Sequence, residues 1–292
     1  MMSSVAVIGL GAMGGTLAVR LVECGVNVHG YDISMPAIQR LQAKGGRASM
    51  KLEDSIAGAD VIICNLPNDE IVLSVVGSGI IDMLKPNQSF VEMSTILPAT
   101  MIAVCKALQG RVREIIDAPV SGGPPEAKVG KLSLLVGTEK DIESRTYDIL
   151  SKLGSVLIVG KEVGSGKAMK LVNNMISMSN TAIAMEAMQL GRSLNLEYKT
   201  MYEVLSKSGA ASTMLSKRGA YILEGDFTAR FEVSLAEKDT RLALQLAQKL
   251  HFPTPLLANV HQRYEAAMAS GLGKEDICAL IKLYRLQSNP AA

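Results

Sequence analysis

Two textures follow one another along the chain. Through the first 160 residues, short apolar runs at 5–9, 26–31, 60–65, 89–93, 114–117, 132–136 and 156–159 recur. Stretches of helical period at 14–24, 35–44, 52–57, 69–75, 98–108 and 140–150 separate them. Strand-sized runs that alternate with amphipathic helices predict βαβ units, because parallel strands need a crossover between them. Right-handed crossovers bring the strand C-termini to one edge of the sheet, where such sheets hold ligands. At Gly164-Ser165-Gly166 the pattern changes. From there helical period recurs at 167–193, 197–206, 211–223, 233–250, 254–270 and 274–286, with no strand-like run. The fold expected is α/β: a Rossmann-type, doubly wound, mostly parallel sheet over residues 1–163. An all-helical domain over 164–292, opening with a long interdomain helix, completes it.

Chemistry enters at the first crossover. Gly9-Leu10-Gly11-Ala12-Met13-Gly14 follows the run Val5-Ala6-Val7-Ile8 and opens the helix through Thr16-Leu17-Ala18. In that context GxGxxG predicts a dinucleotide site. The first glycine permits a tight turn, the second lets a pyrophosphate approach the backbone, and the third lets helix and strand pack closely. The helix N-terminus adds N–H donors and partial positive charge. The second run ends at Asp32, roughly 20 residues past the glycines, where an acceptor for the ribose 2′-hydroxyl belongs. Its charge opposes a 2′-phosphate, and Ile33-Ser34 supply no cation to offset that. NAD is therefore the cofactor expected, with NADP as the alternative through Arg40.

Composition changes the picture mainly by exclusion. A net charge of +2, dispersed basic residues, four Phe and no Trp give no electrostatic footprint or stacking platform for nucleic acid. No apolar run reaches spanning length, so no membrane partner is expected. The first strand begins directly after Met1-Met2-Ser3-Ser4, leaving no room for a signal peptide, and the expectation is a cytoplasmic protein. Cys24, Cys64, Cys105 and Cys278 are scattered without a CxxC pair and read as inert thiols; no metal site is expected.

The helix after Gly166 is the second informative feature. At about 100° per residue, Lys170, Asn173, Asn174, Ser177, Asn180 and Thr181 fall on one side of an otherwise apolar helix. A stripe rich in Asn and Ser, rather than Glu and Lys, is not an ordinary solvated face. Lys170 and Asn174 stand at i and i+4 and project together. A dehydrogenase needs a group to move the hydroxyl proton, and the three histidines serve it poorly: His29 lies in the second strand, His251 and His261 in late helices, none with an evident acidic neighbour. A lysine can act if nearby cations such as Lys167 or Lys238 lower its pKa from about 10.4 toward neutrality.

Four blocks now resemble the β-hydroxyacid dehydrogenase family: the glycine motif; Asp117-Ala118-Pro119-Val120-Ser121-Gly122-Gly123; Gly164 through Asn174; and Lys238-Asp239. They cover essentially the whole chain. The resemblance implies that Lys170 is the catalytic acid–base and that Asn174 hydrogen-bonds the substrate. It implies that Ser121, Gly122 and Gly123 hold a substrate carboxylate. Leu66, Pro67 and Thr95 would line the nicotinamide side of a cofactor seated on Gly9, Leu10, Gly11, Met13, Gly14 and Asp32, with Lys238 reaching it from the helical domain. The chemistry of the second block agrees, since Ser121-Gly122-Gly123 before Pro124-Pro125 reads as a stiff loop exposing N–H donors, a nest for an anion. One departure stands out. Ile71 occupies a position four residues past Leu66-Pro67 where relatives often carry an asparagine, so the resemblance does not carry over that one secondary cofactor contact, while the cofactor itself stands.

The activity implied is hydride transfer between C3 of a small 3-hydroxy acid, or its semialdehyde, and nicotinamide C4, as in 3-hydroxyisobutyrate dehydrogenase. Tartronate semialdehyde and L-threonate are alternative substrates, and a non-catalytic nucleotide-binding scaffold is the alternative of another kind. Lys170 speaks against an imine reductase. The helix over 168–190 is more apolar than one domain needs, which predicts a homodimer or homotetramer through the helical domain.

Overall fold

The structure, a computed structural model, describes residues 3–287. Met1 and Met2, which belong to the segment expected ahead of the first strand, lie outside the described residues. The chain divides into two compact units, Met1–Lys170 and Leu171–Ala292, and the division falls within one long helix.

In the first unit β1 (Ser4–Ile8) pairs in parallel with both β2 (Asn27–Tyr31) and β4 (Val61–Cys64). Strands β3 (Arg47–Ser49), β5 (Ser89–Glu92) and β6 (Glu114–Asp117) extend the parallel region to the order β3-β2-β1-β4-β5-β6. Beyond β6 the direction reverses: β8 (Leu132–Gly137) runs antiparallel to β6 and to β7 (Val120–Ser121), while β9 (Gly154–Gly160) runs parallel to β8. Both faces of the central strands are covered. Val5, Val7, Val61, Ile63 and Val91 enter one core, and Ala6, Ile8, Ile62, Cys64 and Phe90 enter the other. Burial on both faces is why these strands read as continuous apolar runs rather than alternating ones.

Helices α1 (Ala12–Glu23), α2 (Met35–Gln42), α3 (Leu52–Ile56), α4 (Asp69–Ser74) and α5 (Pro98–Leu108) provide the crossovers. They fall close to the expected spans. The sequence pattern missed β3, β7 and α6 (Pro124–Lys128), elements of two to five residues, too short to carry a period. It also missed the π-helical turn Val75–Ile80 that prolongs α4. The helix expected at 140–150 starts at Ser144, where α7 (Ser144–Ser151) is capped by the Glu143 carboxylate accepting from Thr146 N–H at 3.2 Å.

The second unit is helical. Most of α8 (Ser165–Ser193) belongs to it, with α9 (Tyr198–Leu205), α10 (Thr213–Glu224), α11 (Val233–Lys249) and α12 (Pro255–Ala269). The segment expected as one helix over 274–286 begins later, as a 3-10 turn Ile277–Leu280, and continues as α13 (Ile281–Gln287). His251 lies in no helix: it follows α11 at φ +51°, and Pro255 opens α12 four residues later. Met178, Met185, Met188, Leu215, Ile222, Tyr264 and Ile277 build the core. Among the described residues no helix is long and apolar enough to cross a membrane.

Candidate active site

The residues expected to seat a dinucleotide gather at the C-terminal ends of β1, β2, β4 and β5, on both sides of the point where strand order reverses. That is where open α/β sheets form their ligand crevice. Gly9 sits at φ +91°, and a Cβ there would meet the Asn65 carbonyl at 2.2 Å. A Cβ at Gly14 would strike the Gly9 carbonyl at 2.0 Å, so this glycine serves helix–strand packing. Gly11 differs, because nothing lies within 4 Å of where its Cβ would be. The protein's own packing therefore does not require a glycine there. No side chain caps α1, so its first-turn N–H groups face the same opening. Leu10 is buried in the core beneath and Met13 is half-buried. Leu10 N–H and Ser34 N–H donate, each at 2.7 Å, to the two oxygens of Asp32. A carboxylate so held keeps further acceptor capacity on each oxygen, which suits ribose hydroxyls.

The loops after β4 and β5 are laced together. The Ser94 hydroxyl accepts from Leu66 N–H at 2.8 Å, and Asp69 accepts from both Leu97 N–H and the Thr100 hydroxyl. Leu66, Pro67 and half-buried Thr95 thus ride on a rigid support. Ile71, standing where an asparagine was noted in relatives, is used in local structure: its N–H donates to the Asn68 cap at 2.9 Å.

The second block departs from the exposed nest expected of it. Val120-Ser121 is a short strand, Gly122 takes φ +117°, and Gly123 N–H donates to the Glu126 carboxylate at 2.8 Å. Gly123's donor is thereby engaged at the start of α6.

Helix α8 enters through a buried charge cluster. Asp117 accepts from Gly164 N–H at 2.9 Å and Lys167 N–H at 3.1 Å, while the Lys167 ammonium lies 3.2 Å from its other oxygen. The same ammonium donates to the Glu92 carbonyl at 2.8 Å and stands 3.9 Å from its carboxylate. All three side chains are fully buried. Lys167 was expected to act as a like charge on Lys170; it is instead neutralised by two carboxylates and anchors the helix. Nearby Cys64 is inert, since burial and the adjacent Glu92 carboxylate push its thiol well above the usual range.

Along α8 the polar stripe is turned inward. Lys170 is 8 % exposed and Asn174 3 %, whereas Val172 at 52 % and Ile176 at 57 % face out. Asn174 Nδ2 donates to Asp239 at 2.6 Å, and its Oδ1 accepts from Asn173 at 3.0 Å. Asp239 is buried and pairs with the Lys238 ammonium at 3.2 Å. The second unit therefore brings Asn174, Lys238 and Asp239 together. Sequence reasoning named the first two and missed the role of Asp239; the signal available was a charged pair flanked by Val233, Ala236 and Leu242, all buried.

The NAD-binding domain of 6-phosphogluconate dehydrogenase matches residues 4–161, and the NAD-binding domain of NADP-dependent 3-hydroxyisobutyrate dehydrogenase matches residues 164–284. The chain belongs to the β-hydroxyacid dehydrogenase family. Among members of this family, 2-(hydroxymethyl)glutarate dehydrogenase of Eubacterium barkeri is 34 % identical, over 95 % of this chain and 93 % of its own. The 3-sulfolactaldehyde reductase of Escherichia coli is 31 % identical over 100 % and 99 %. The crystal structure of a 3-hydroxyisobutyrate dehydrogenase from Salmonella typhimurium superposes with a TM-score of 0.88 at 28 % identity, covering 96 % of this chain and 99 % of that one. As a family member the chain is an NAD(P)-dependent oxidoreductase of CH–OH groups. When bound, the nicotinamide supplies or accepts hydride.

Proposed function

We propose that the enzyme interconverts a short 3-hydroxy acid and its semialdehyde, with NAD as the preferred cofactor and Lys170 exchanging the hydroxyl proton. The inward-turned polar stripe of α8 carries this reading. Burying a lysine and an asparagine beside exposed Val172 and Ile176 opposes the hydrophobic ordering of a helix, and a proton-relay role gives that arrangement a purpose. Asn174, its amide fixed by Asp239, hydrogen-bonds the substrate oxygen. Ser121 and the Gly122 backbone hold the carboxylate, with Gly123 shaping the turn rather than donating. Two anchors on a short substrate fix the reacting carbon, which is the orientation term of the rate enhancement. Asp32 selects NAD by accepting from the ribose and repelling a 2′-phosphate. The relatives act on substrates as different as a hydroxymethyl diacid and a sulfonated aldehyde. The shared feature is an anionic group near a carbon bearing oxygen, and it is for this class that the anchor is proposed.

The test combines a substrate panel with one variant. Initial rates of NAD reduction are measured with 3-hydroxyisobutyrate, glycerate and threonate, and then with Lys170→Ala. General acid–base catalysis contributes about 10²–10⁴-fold, so the variant is expected to lose turnover by that order while NADH fluorescence still reports binding. Near-normal turnover in Lys170→Ala removes the lysine from the mechanism.

A further inference from the structure

We propose that Glu237, His261 and Glu265 form a binding site for a divalent transition-metal ion of the zinc type, joining α11 to α12. Glu237 lies on α11, and His261 and Glu265 stand one turn apart on α12. One ligand atom from each lies within 4.8 Å of the others. Small side-chain rotations bring such a set to the ~2.0–2.2 Å that zinc requires.

The histidine distinguishes this cluster from an ordinary acidic surface. His261 is only 9 % exposed, and its Nδ1 lies 2.9 Å from the Thr240 hydroxyl. That hydroxyl has a single proton, and the carbonyls of Ala236 at 2.8 Å and Glu237 at 2.9 Å both stand ready to take it. With its proton on a carbonyl, Thr240 Oγ1 is an acceptor toward His261, an arrangement that favours the tautomer with its proton on Nδ1 and its lone pair on Nε2. Among the described residues Nε2 makes no hydrogen bond, and Oε1 of Glu265 stands 3.5 Å from it. A lone pair facing a carboxylate is repulsive unless a cation stands between them. A ring whose far nitrogen is oriented by a hydroxyl or carbonyl is the usual form of a metal-bound histidine.

The donor set narrows the ion. One imidazole and two carboxylates with a water suit zinc and its neighbours; calcium and magnesium favour oxygen ligands throughout. Arg241 donates to Oε1 of Glu237 at 2.9 Å, which orients that carboxylate and leaves Oε2 for the ion. Glu265 is exposed and gives the ion its way in. Because Glu237 directly precedes Lys238 and Asp239, a bound ion would also hold the turn of α11 that carries them.

The experiment uses the full chain, stripped with a chelator and titrated with zinc and with cobalt(II). Expected are one equivalent of zinc bound, a rise in thermal midpoint, and a cobalt spectrum of nitrogen–oxygen ligation. Glu265→Gln and His261→Gln should each weaken zinc binding by tenfold or more. Thr240→Val should weaken it by about 10–100-fold, the usual effect of removing an outer-shell partner. Glu265 is exposed, so its variant reports even if substitution of buried His261 disturbs folding. No uptake, or uptake unchanged in Glu265→Gln and His261→Gln, overturns the site.

Discussion

The Asp32 carboxylate is held before any cofactor arrives, by Leu10 N–H on one oxygen and Ser34 N–H on the other. A charge fixed in this way cannot swing aside for a phosphate. Hydrogen bonds to charged groups are worth about 1.5–3 kcal/mol. Asp32→Ala is therefore expected to lower the NAD-over-NADP ratio of kcat/KM by about tenfold or more, as steady-state rates with both cofactors will show. The glycines and Asp32 were legible in the sequence because their spacing within the first βαβ unit forms a motif, even though Gly9 also packs against distant Asn65. Asp239 was not, because its partner Asn174 lies 65 residues away and no period links them. The charge on Lys167 was misread for the same reason: the two carboxylates that answer it, Glu92 and Asp117, come from other strands.

Helix α8 is fastened into the sheet by that buried triad, in which the Lys167 ammonium answers both carboxylates. Removing one partner of a buried ion pair typically costs about 3–5 kcal/mol, because the charge left behind is uncompensated. Lys167→Ala is expected to lose stability of that order in urea unfolding, with Lys167→Met recovering part of it. A second tie concerns α12, whose Tyr264 hydroxyl donates to the Met178 carbonyl at 3.1 Å. Burial pushes that phenol far above its ordinary value, and burial together with the Glu186 carboxylate raises Tyr284 to about 12. Above about pH 10 the unfolded chain gives up these protons while the folded one keeps them, so stability falls as pH rises. Urea midpoints between about pH 9 and pH 11 should decline, and less steeply in Tyr264→Phe. Elements with several turns or a doubly buried run were read correctly from pattern. The short strands β3 and β7 exist only through pairing with longer neighbours, which a single window of sequence does not contain.

Across the whole molecule, the outward side of α8 continues with Ile183 at 60 % exposure and Leu190, in step with Val172 and Ile176. Apolar positions repeating at about seven residues form a seam of the kind that pairs with another helix. Light scattering after size exclusion is expected to show a homodimer or homotetramer, and Ile183→Lys to shift it toward monomer; a wild-type monomer would sink the idea. The two textures of the chain were visible in its apolar pattern, which changes at Gly164, and compactness divides a little further on. The division lies between Lys170 and Leu171, inside an unbroken helix, with Lys170 on one side and Asn174 one turn beyond. Anyone recombining relatives to trade substrate range must therefore treat α8 as indivisible. A chimaera spliced at the compact boundary would take its lysine from one parent and its asparagine from the other. A crossover placed ahead of Gly164 would also part Lys167 from Glu92 and Asp117, so the donor of the helix must bring strands β5 and β6 with it.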